Sequence, residues 1–285
     1  MSFRTYFDVQ GTDRSDLAGQ VAVQRERVRA RLAGVRRVVA VMSGKGGVGK
    51  THVTALLAQA AAARFPECVG VLDADLRSPT AARLLRAQGP LRVTDAGVEP
   101  ARGVGGVRVM STEFLLGEGA PLAWQEPDSE AFVWRGTLEA GTLREFLGDV
   151  VWGTLELLLV DLPPGADGVA DLRTLVPGLA GALVVTIPSG ESERSVARAM
   201  RAAADAGIRL LGVVENMTGY RCGDCGTVGP LFPGRAGERL AATYGIPLIA
   251  RLPFSSPPSS SHPLGGDEDR KKGEEILTGL LGVLE

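Results

Sequence analysis

The sequence predicts a doubly wound α/β protein, with a mostly parallel β-sheet and helices on both faces of it. Short apolar runs alternate with helix-like segments along most of the 285 residues. The runs are rich in valine and leucine without strict polar alternation, which is typical of strands buried on both faces of a parallel sheet. A hydrophobic content of 45% with 22% charged residues is ordinary for a globular chain.

The elements are predicted in chain order from these runs. Seven strands are expected at 37–42, 68–73, 106–111, 156–161, 182–188, 210–217 and 247–253. Helical patterns cover 51–64 and 192–206. The Ser/Pro-rich stretch 254–266 predicts a loop, and the amphipathic residues 273–285 predict a helix packed on the body.

We divide the chain into an N-terminal arm, 1–37, and one domain, 38–285. Residues 1–20 are polar and are expected to be partly mobile. Residues 21–37 carry six arginines against one glutamate, which predicts a solvated helix leading into the first strand.

A glycine-rich loop follows the first predicted strand and opens a helix. Residues 44–51 read G-K-G-G-V-G-K-T and match the phosphate-binding pattern G-x-x-x-x-G-K-[ST] in full. Such glycines let backbone N–H groups surround phosphate oxygens at a helix N-terminus. Lys50 is expected to reach the β- and γ-phosphates, and Thr51 to place its hydroxyl on Mg²⁺. The candidate nucleotide contacts are Gly44, Lys45, Gly46, Gly47, Val48, Gly49, Lys50, Thr51 and His52.

Acidic residues follow two other predicted strands. Asp73 and Asp75 end "VLDAD", and Asp161 ends "LLLVD". The carboxyl ends of parallel strands meet at one edge of the sheet, where the phosphates and Mg²⁺ are expected to lie. We therefore expect these carboxylates to hold Mg²⁺, directly or through water, and to orient the attacking water.

The motifs together resemble a known family. The loop "SGKGGVGKT", with Lys45 after its first glycine, resembles the deviant Walker A of the MinD/ParA/nitrogenase-iron-protein class of P-loop NTPases. With "VGVLDADLRSPT", "LLLVDLPPG" and "GVVENMTGYRCGDCG", the chain resembles the Mrp/ApbC-type iron–sulfur cluster carrier ATPases over about residues 32–253. Residues 38–285 would then form the ATPase domain.

The resemblance implies roles for single residues. ATP would lie between two face-to-face subunits, and Lys45 would cross the interface to stabilise charge on the partner's phosphates. Asp75 would orient the attacking water, and Asp161 would hold a magnesium water. Asn216 would contact the adenine.

The sequence departs from the resemblance at several points. His52 replaces the hydroxyl residue usual after the magnesium-binding threonine. Residues 166–168 rearrange the polar groups after "DLPPG", and 253–256 replace the usual P-L-D-P near the adenine. The phosphate loop and the acidic strand ends are retained.

Two cysteines share one tight turn. Cys222 and Cys225 have a spacing that suits one edge of a four-thiolate site, whereas Cys68 falls in a predicted buried strand as a core residue. Two subunits would supply four thiolates on a two-fold axis. Ligand type leaves an iron–sulfur cluster, a zinc knuckle or a redox dithiol open. The resemblance implies a [4Fe–4S] cluster that bridges a homodimer and passes to recipient apo iron–sulfur proteins.

The bulk properties argue against membrane and nucleic-acid partners. A net charge of −2 provides no basic excess, and no apolar run approaches the roughly 18 residues of a membrane span. We expect a cytoplasmic ATP-hydrolysing cluster carrier. The alternative is a MinD/ParA-like positioning or partition ATPase with a zinc or vestigial CxxC site. That alternative needs a basic surface helix or patch, but 273–285 contain three glutamates and no lysine or arginine.

Overall fold

The structure is a computed structural model that describes residues 17–76, 78–115, 141–222, 225–255, 264 and 266–285. The polar stretch 1–16, most of the predicted Ser/Pro loop (256–263 and 265) and residues 223–224 of the cysteine turn lie outside the described residues.

The strands are β1 Val38–Ser43, β2 Val69–Asp73, β3 Arg92–Thr94, β4 Gly97–Glu99, β5 Ala101–Arg102, β6 Arg108–Met110, β7 Leu157–Asp161, β8 Leu179–Thr186, β9 Leu210–Arg221, β10 Val228–Gly229 and β11 Leu248–Ser255. The helices are α1 Leu17–Leu32, α2 Lys50–Arg64, α3 Ala81–Leu84, α4 (141–149), α5 Asp167–Leu175, α6 Gly190–Asp205, α7 Ala236–Tyr244 and α8 Asp267–Leu284.

A nine-stranded sheet has the order β10-β9-β8-β1-β7-β2-β6-β5, with β11 also paired to β9. Strands β11, β9, β8, β1, β7, β2 and β6 are parallel to their neighbours. The short strands β5 and β10 pair antiparallel at the two ends, and β3 and β4 form a separate hairpin. The predicted doubly wound fold is confirmed.

Helices cover both faces of the central strands. Strands β1, β2 and β7 are buried at every position, as their unbroken apolar runs predicted. On one face α8 packs across α2, with Ile276, Leu277 and Leu280 in the core. The predicted C-terminal helix is therefore confirmed, and its apolar side is covered by the body.

The structure corrects three details of the predicted elements. Strand β9 continues past the predicted end at residue 217 to Arg221. Phe254 and Ser255 belong to β11 rather than to a loop, because they pair with Tyr220 and Arg221 of the extended β9. Cys68 lies immediately before β2 and is only half-buried.

The arginine-rich segment contacts the body of the protein. Val28 of α1 is buried beside α4. Arg27 pairs with Asp149 at 2.9 Å, Arg36 pairs with Glu156 at 2.9 Å, and Arg31 donates to the Gly148 carbonyl at 3.1 Å. Arg27 and Arg31 therefore support packing of α1 on the domain, and Arg36 anchors the segment between α1 and β1. Within the described ranges, no helix is both long and apolar enough to cross a membrane.

Candidate functional site

The glycine-rich loop joins β1 to α2 at the carboxyl edge of the sheet. Gly47 and Gly49 have φ angles of 78° and 81°, in the left-handed region that favours glycine. A Cβ atom on Gly44 would lie 2.2 Å from the backbone of Ser195 in α6. The loop therefore needs glycine both for its backbone turns and for its close approach to α6.

A hydrogen-bonded group of side chains lies beneath this loop. The Lys50 Nζ atom is 2.8 Å from Asp161 Oδ1, and the lysine side chain is buried. Thr51 donates to Asp161 Oδ2 at 2.6 Å, and Thr54 donates to Asp161 Oδ1 at 2.8 Å. Asp161 lies at ion-pair distance from the buried ammonium, but no described atom accepts a hydrogen bond from it. Its N–H groups are thus available for phosphate oxygens.

Asp73 lies opposite Asp161 on the neighbouring strand. Its Oδ2 atom accepts backbone N–H groups of Thr80 and Ala81 at 2.9 and 3.0 Å, so it holds the start of α3. Burial first, and then the charge of Asp161, raise the pKa of Asp73 to about 7. A cation beside these two carboxylates would reduce their repulsion, so the pair fits a magnesium site.

A cavity of about 500 Å³ opens above the loop. Its walls include loop residues 45–52, Asp75, and Thr80 and Arg83 of the α3 segment. Asp75 accepts the Ser78 N–H at 3.3 Å, which places its carboxylate in a tight turn at the cavity wall. The cavity therefore brings Asp75 together with the predicted phosphate contacts.

His52 also lines this cavity. Burial lowers the pKa of its imidazole, Asp269 of α8 opposes that shift, and Lys272 adds to it. The neutral ring is thus favoured at a position next to Thr51.

Lys45 takes a different position from Lys50. Its Nζ atom lies 3.2 Å from Glu191 Oε2 in the first turn of α6, and the lysine side chain is 31% exposed. Within this chain, Lys45 therefore lines the cavity, is partly exposed and pairs with an exposed carboxylate.

Asn216 lies in β9 and is buried against the loop. Its Nδ2 atom donates to the Val48 carbonyl at 2.9 Å, and a Cβ atom on Gly49 would lie 2.2 Å from that nitrogen. The side chain therefore braces the phosphate loop, a contact that the sequence did not predict.

The two thiols follow β9 at the same edge of the sheet. Cys222 is half-buried and Cys225 is exposed. The Cys222 N–H donates to the Thr227 carbonyl at 2.9 Å, and the Gly226 N–H donates to the Cys222 carbonyl at 2.9 Å. Hydrogen bonds with Thr227 lower the pKa of Cys225 to about 7. A low thiol pKa favours the thiolate form that binds soft metal ions.

Comparison with known proteins now identifies the family. Residues 34–272 match the ParA family model, described as NUBPL iron-transfer P-loop NTPase. The chain belongs to this family. It is therefore a nucleotide-binding P-loop NTPase with ATPase activity.

Two curated relatives illustrate the match. An iron–sulfur cluster carrier protein of Saccharolobus solfataricus is 36% identical over 80% of this chain and 74% of that protein. The cytosolic Fe-S cluster assembly factor NUBP2 of Bos taurus is 40% identical over 78% of this chain and 81% of its own length.

Solved structures agree with the fold. One is a nucleotide-binding protein of Archaeoglobus fulgidus in complex with ADP, in which cobalt was found. It is 34% identical to this chain, with a TM-score of 0.67, and the match covers 89% of this chain and 92% of that one. The cell division ATPase MinD of Pyrococcus furiosus has a TM-score of 0.53 at 20% identity, over 87% of this chain and 99% of that one, and shows the fold alone.

Several residues of the site were not predicted from the sequence. Thr54 and Glu191 contact the predicted residues, and Arg83 lines the cavity. Thr54 was detectable, because positions three apart lie on one helix face and Thr51 was already assigned. Glu191 and Arg83 come from distant segments, so only the fold brings them to the loop.

Proposed function

We propose that the protein is an ATP-hydrolysing homodimeric carrier that binds a [4Fe–4S] cluster between two subunits and transfers it to apo iron–sulfur proteins. One observation carries the proposal: a thiol pair and a phosphate loop occupy the same sheet edge, and β9 contacts both. Asn216 of β9 holds Val48 of the loop, and Cys222 directly follows that strand. The names of the relatives support cluster transfer as the purpose.

The residues of the cavity fit a nucleoside triphosphate with Mg²⁺. The buried Lys50 ammonium lacks a hydrogen-bond acceptor among the described atoms, and phosphate oxygens would supply several. Thr51, Asp73 and Asp161 would hold Mg²⁺ directly or through water. When bound, Mg²⁺ would offset the negative charge of the β- and γ-phosphates. Asp75 would orient the attacking water, since it lines the same cavity as the phosphate loop.

Lys45 would act on the partner's nucleotide. Its partial exposure and its ion pair with the exposed Glu191 suit a lysine that reaches across an interface rather than into its own loop. In the dimer it would exchange Glu191 for phosphate oxygens of the partner subunit. A cation placed there would stabilise charge that develops in the transition state.

The thiols would share the cluster between two subunits. The chain has three cysteines, and Cys68 lies at the amino end of β2, whereas Cys222 follows the carboxyl end of β9. Parallel strands place these ends on opposite edges of the sheet. One chain therefore offers two thiols at the turn, and a two-fold axis completes a four-thiolate site.

Strand β9 would couple the two sites. A change in the phosphate loop on hydrolysis would alter the support that Asn216 gives to Val48, and the same strand carries the cysteine turn. Cluster binding would then depend on the nucleotide state. The cytosolic names of relatives support a cytoplasmic location.

The proposal is tested by anaerobic purification with iron, sulfide and zinc analysis, followed by transfer to an apo iron–sulfur protein. Equal iron and sulfide, with recovery of activity in the recipient, is the expected result. Stoichiometric zinc without sulfide would instead indicate a structural knuckle and would favour the positioning or partition ATPase.

A further inference from the structure

An exposed apolar surface lies beside the thiols. Seven large apolar side chains are exposed among the described residues. Four of them lie in or next to the cysteine extension, which we define as residues 216–222, 225–229 and 252–255. They are Tyr220, Val228, Leu231 and Phe254. Grouped exposed apolar side chains indicate an interaction surface.

The aromatic members share a face with Cys222. Pairing of β9 with β10 continues through Cys222, whose N–H donates to the Thr227 carbonyl at 2.9 Å. Positions two apart on an extended chain project to one side, so Tyr220 and Cys222 lie on the same face. Phe254 is directly opposite Tyr220 on β11, and the rings stack with centroids 6.5 Å apart.

Both side chains remain partly exposed despite this stacking. Tyr220 is 40% exposed and Phe254 is 43% exposed. Val228 is 47% exposed and pairs with Arg221 in the antiparallel ladder of β9 and β10. Because Arg221 is the residue next to Tyr220, the Val228 side chain projects from the face opposite to that of Tyr220 and Cys222. The aromatic pair is thus the apolar surface on the thiol side.

We propose that Tyr220 and Phe254 pack against the same two residues of a second copy of this chain and limit access of water to the shared cluster. The inference rests on the proposed function, in which each chain supplies two of four thiolates. Four thiolates on one cluster bring the two cysteine turns within a few ångströms. A strand rises about 3.3 Å per residue, so Tyr220 lies about 7 Å along the chain from Cys222. A symmetric contact between the turns therefore brings this surface close to the same surface of the second copy.

The test compares wild type with Tyr220→Ala and Phe254→Ala after anaerobic loading with iron and sulfide. Sedimentation velocity measures dimerisation, and the rate of iron loss to a chelator measures access to the cluster. We expect each variant to raise the dimer dissociation constant at least about tenfold and to accelerate iron loss, as aromatic anchors do at interfaces. Tyr220→Phe retains the ring and should behave as wild type.

Val228→Ala is the matched control, since it removes an exposed apolar side chain from the opposite face of the same extension. It should leave both measurements unchanged. Phe254→Lys provides a second variant that keeps a long aliphatic stem, and two such lysines meeting at the axis would repel each other. Urea unfolding of each variant establishes that it is folded.

Several outcomes would overturn the inference. Unchanged dimerisation and iron loss in both alanine variants would remove the rings from the interface. Weaker nucleotide binding with an unchanged dimer would assign them to the nucleotide. A normal dimer with slower transfer to a recipient would make the surface a recipient-docking site. Failure of the proposed function gives a different result: the wild-type protein would then bind no iron, or would stay monomeric after loading with iron and sulfide.

Discussion

Lys45 and Lys50 lie in one loop but in different electrostatic surroundings. Lys50 is buried next to Asp161, and Lys45 is partly exposed next to Glu191. Lys50→Ala would remove the phosphate contact that we propose for this lysine and would leave the buried Asp161 carboxylate without the cation beside it. We expect nucleotide affinity to fall at least about a hundredfold. Lys45→Ala should retain nucleotide binding but lower kcat about a hundredfold to a thousandfold, because the contact that we propose with the partner's phosphates would form in the transition state. Equilibrium binding and steady-state turnover separate these effects.

Glu191→Gln serves as the control for Lys45. It removes the present ion pair but keeps the lysine, so turnover should remain within a few-fold of wild type. Equal loss of turnover in Glu191→Gln and Lys45→Ala would show that the ion pair, rather than the free ammonium, supports catalysis.

Asp73 should make stability depend on pH in the metal-free protein. The pKa of its carboxyl is raised from 3.8 to about 7 in the fold, so the unfolded chain releases this proton at lower pH. Wild type therefore loses stability as pH rises from about 4 to about 7, and the loss is complete above that range. Asp73→Asn lacks this titration. The free energy of unfolding is measured with urea in a chelating buffer. Between about pH 5 and pH 8, the value for Asp73→Asn should rise relative to that for wild type by about 1–3 kcal/mol. A difference that stays constant with pH would contradict the cause given for the raised pKa.

At single positions, the sequence predicted the parts of the site that a continuous motif encodes. Lys50 and Thr51 of the phosphate loop both contact Asp161 at the end of β7. The sequence predicted that the phosphate loop and this acidic strand end lie at the same edge of the sheet. The contact between Asn216 and Val48 was not predictable, because it depends on how β9 aligns with a loop far away in the chain. Asp73 also holds the start of α3, a role that requires the fold of the intervening turn.

At the level of elements, the central strands were predictable because they are buried on both faces and form unbroken apolar runs. The hairpin of β3 and β4 was missed, since β3 is exposed at all its positions and shows no such run. The end of β9 was missed because residues 218–221 form no apolar run, and Tyr220 and Arg221 extend the strand by pairing with β10 and β11.

The contact of α8 with α2 supplies an element-scale prediction. A Cβ atom on Gly273 would lie 2.6 Å from the Leu56 carbonyl oxygen, a backbone atom that cannot turn away. Gly273→Ala should therefore destabilise the protein by about 1–3 kcal/mol, although alanine favours a helix. Gly282 of the same helix has open space around it, so Gly282→Ala should stabilise by about 0.5–1 kcal/mol. Denaturant midpoints measure both changes. Stabilisation of both variants would mean that the two helices do not approach so closely.

The whole molecule has two chemical sites on one edge of its sheet. The phosphate loop follows β1, and the cysteine turn follows β9, two strands away in the order β9-β8-β1. Neighbouring strands are about 4.8 Å apart, so the two sites are close enough for one subunit interface to cover both. A dimer that places Lys45 on the partner's nucleotide would thus also bring the cysteine turns together.

The stoichiometry of the cluster tests this arrangement directly. If two subunits share one [4Fe–4S] cluster, the loaded protein should contain about two irons and two sulfides per chain. Cys222→Ser and Cys225→Ser should each abolish cluster binding, because the two-fold axis removes two ligands at once. Cys68→Ser should retain the cluster, since Cys68 lies at the opposite edge of the sheet. ATP binding should persist in all three variants, because the nucleotide cavity is lined by other segments. About four irons per chain, or iron retained by both turn variants, would exclude a cluster shared between two subunits.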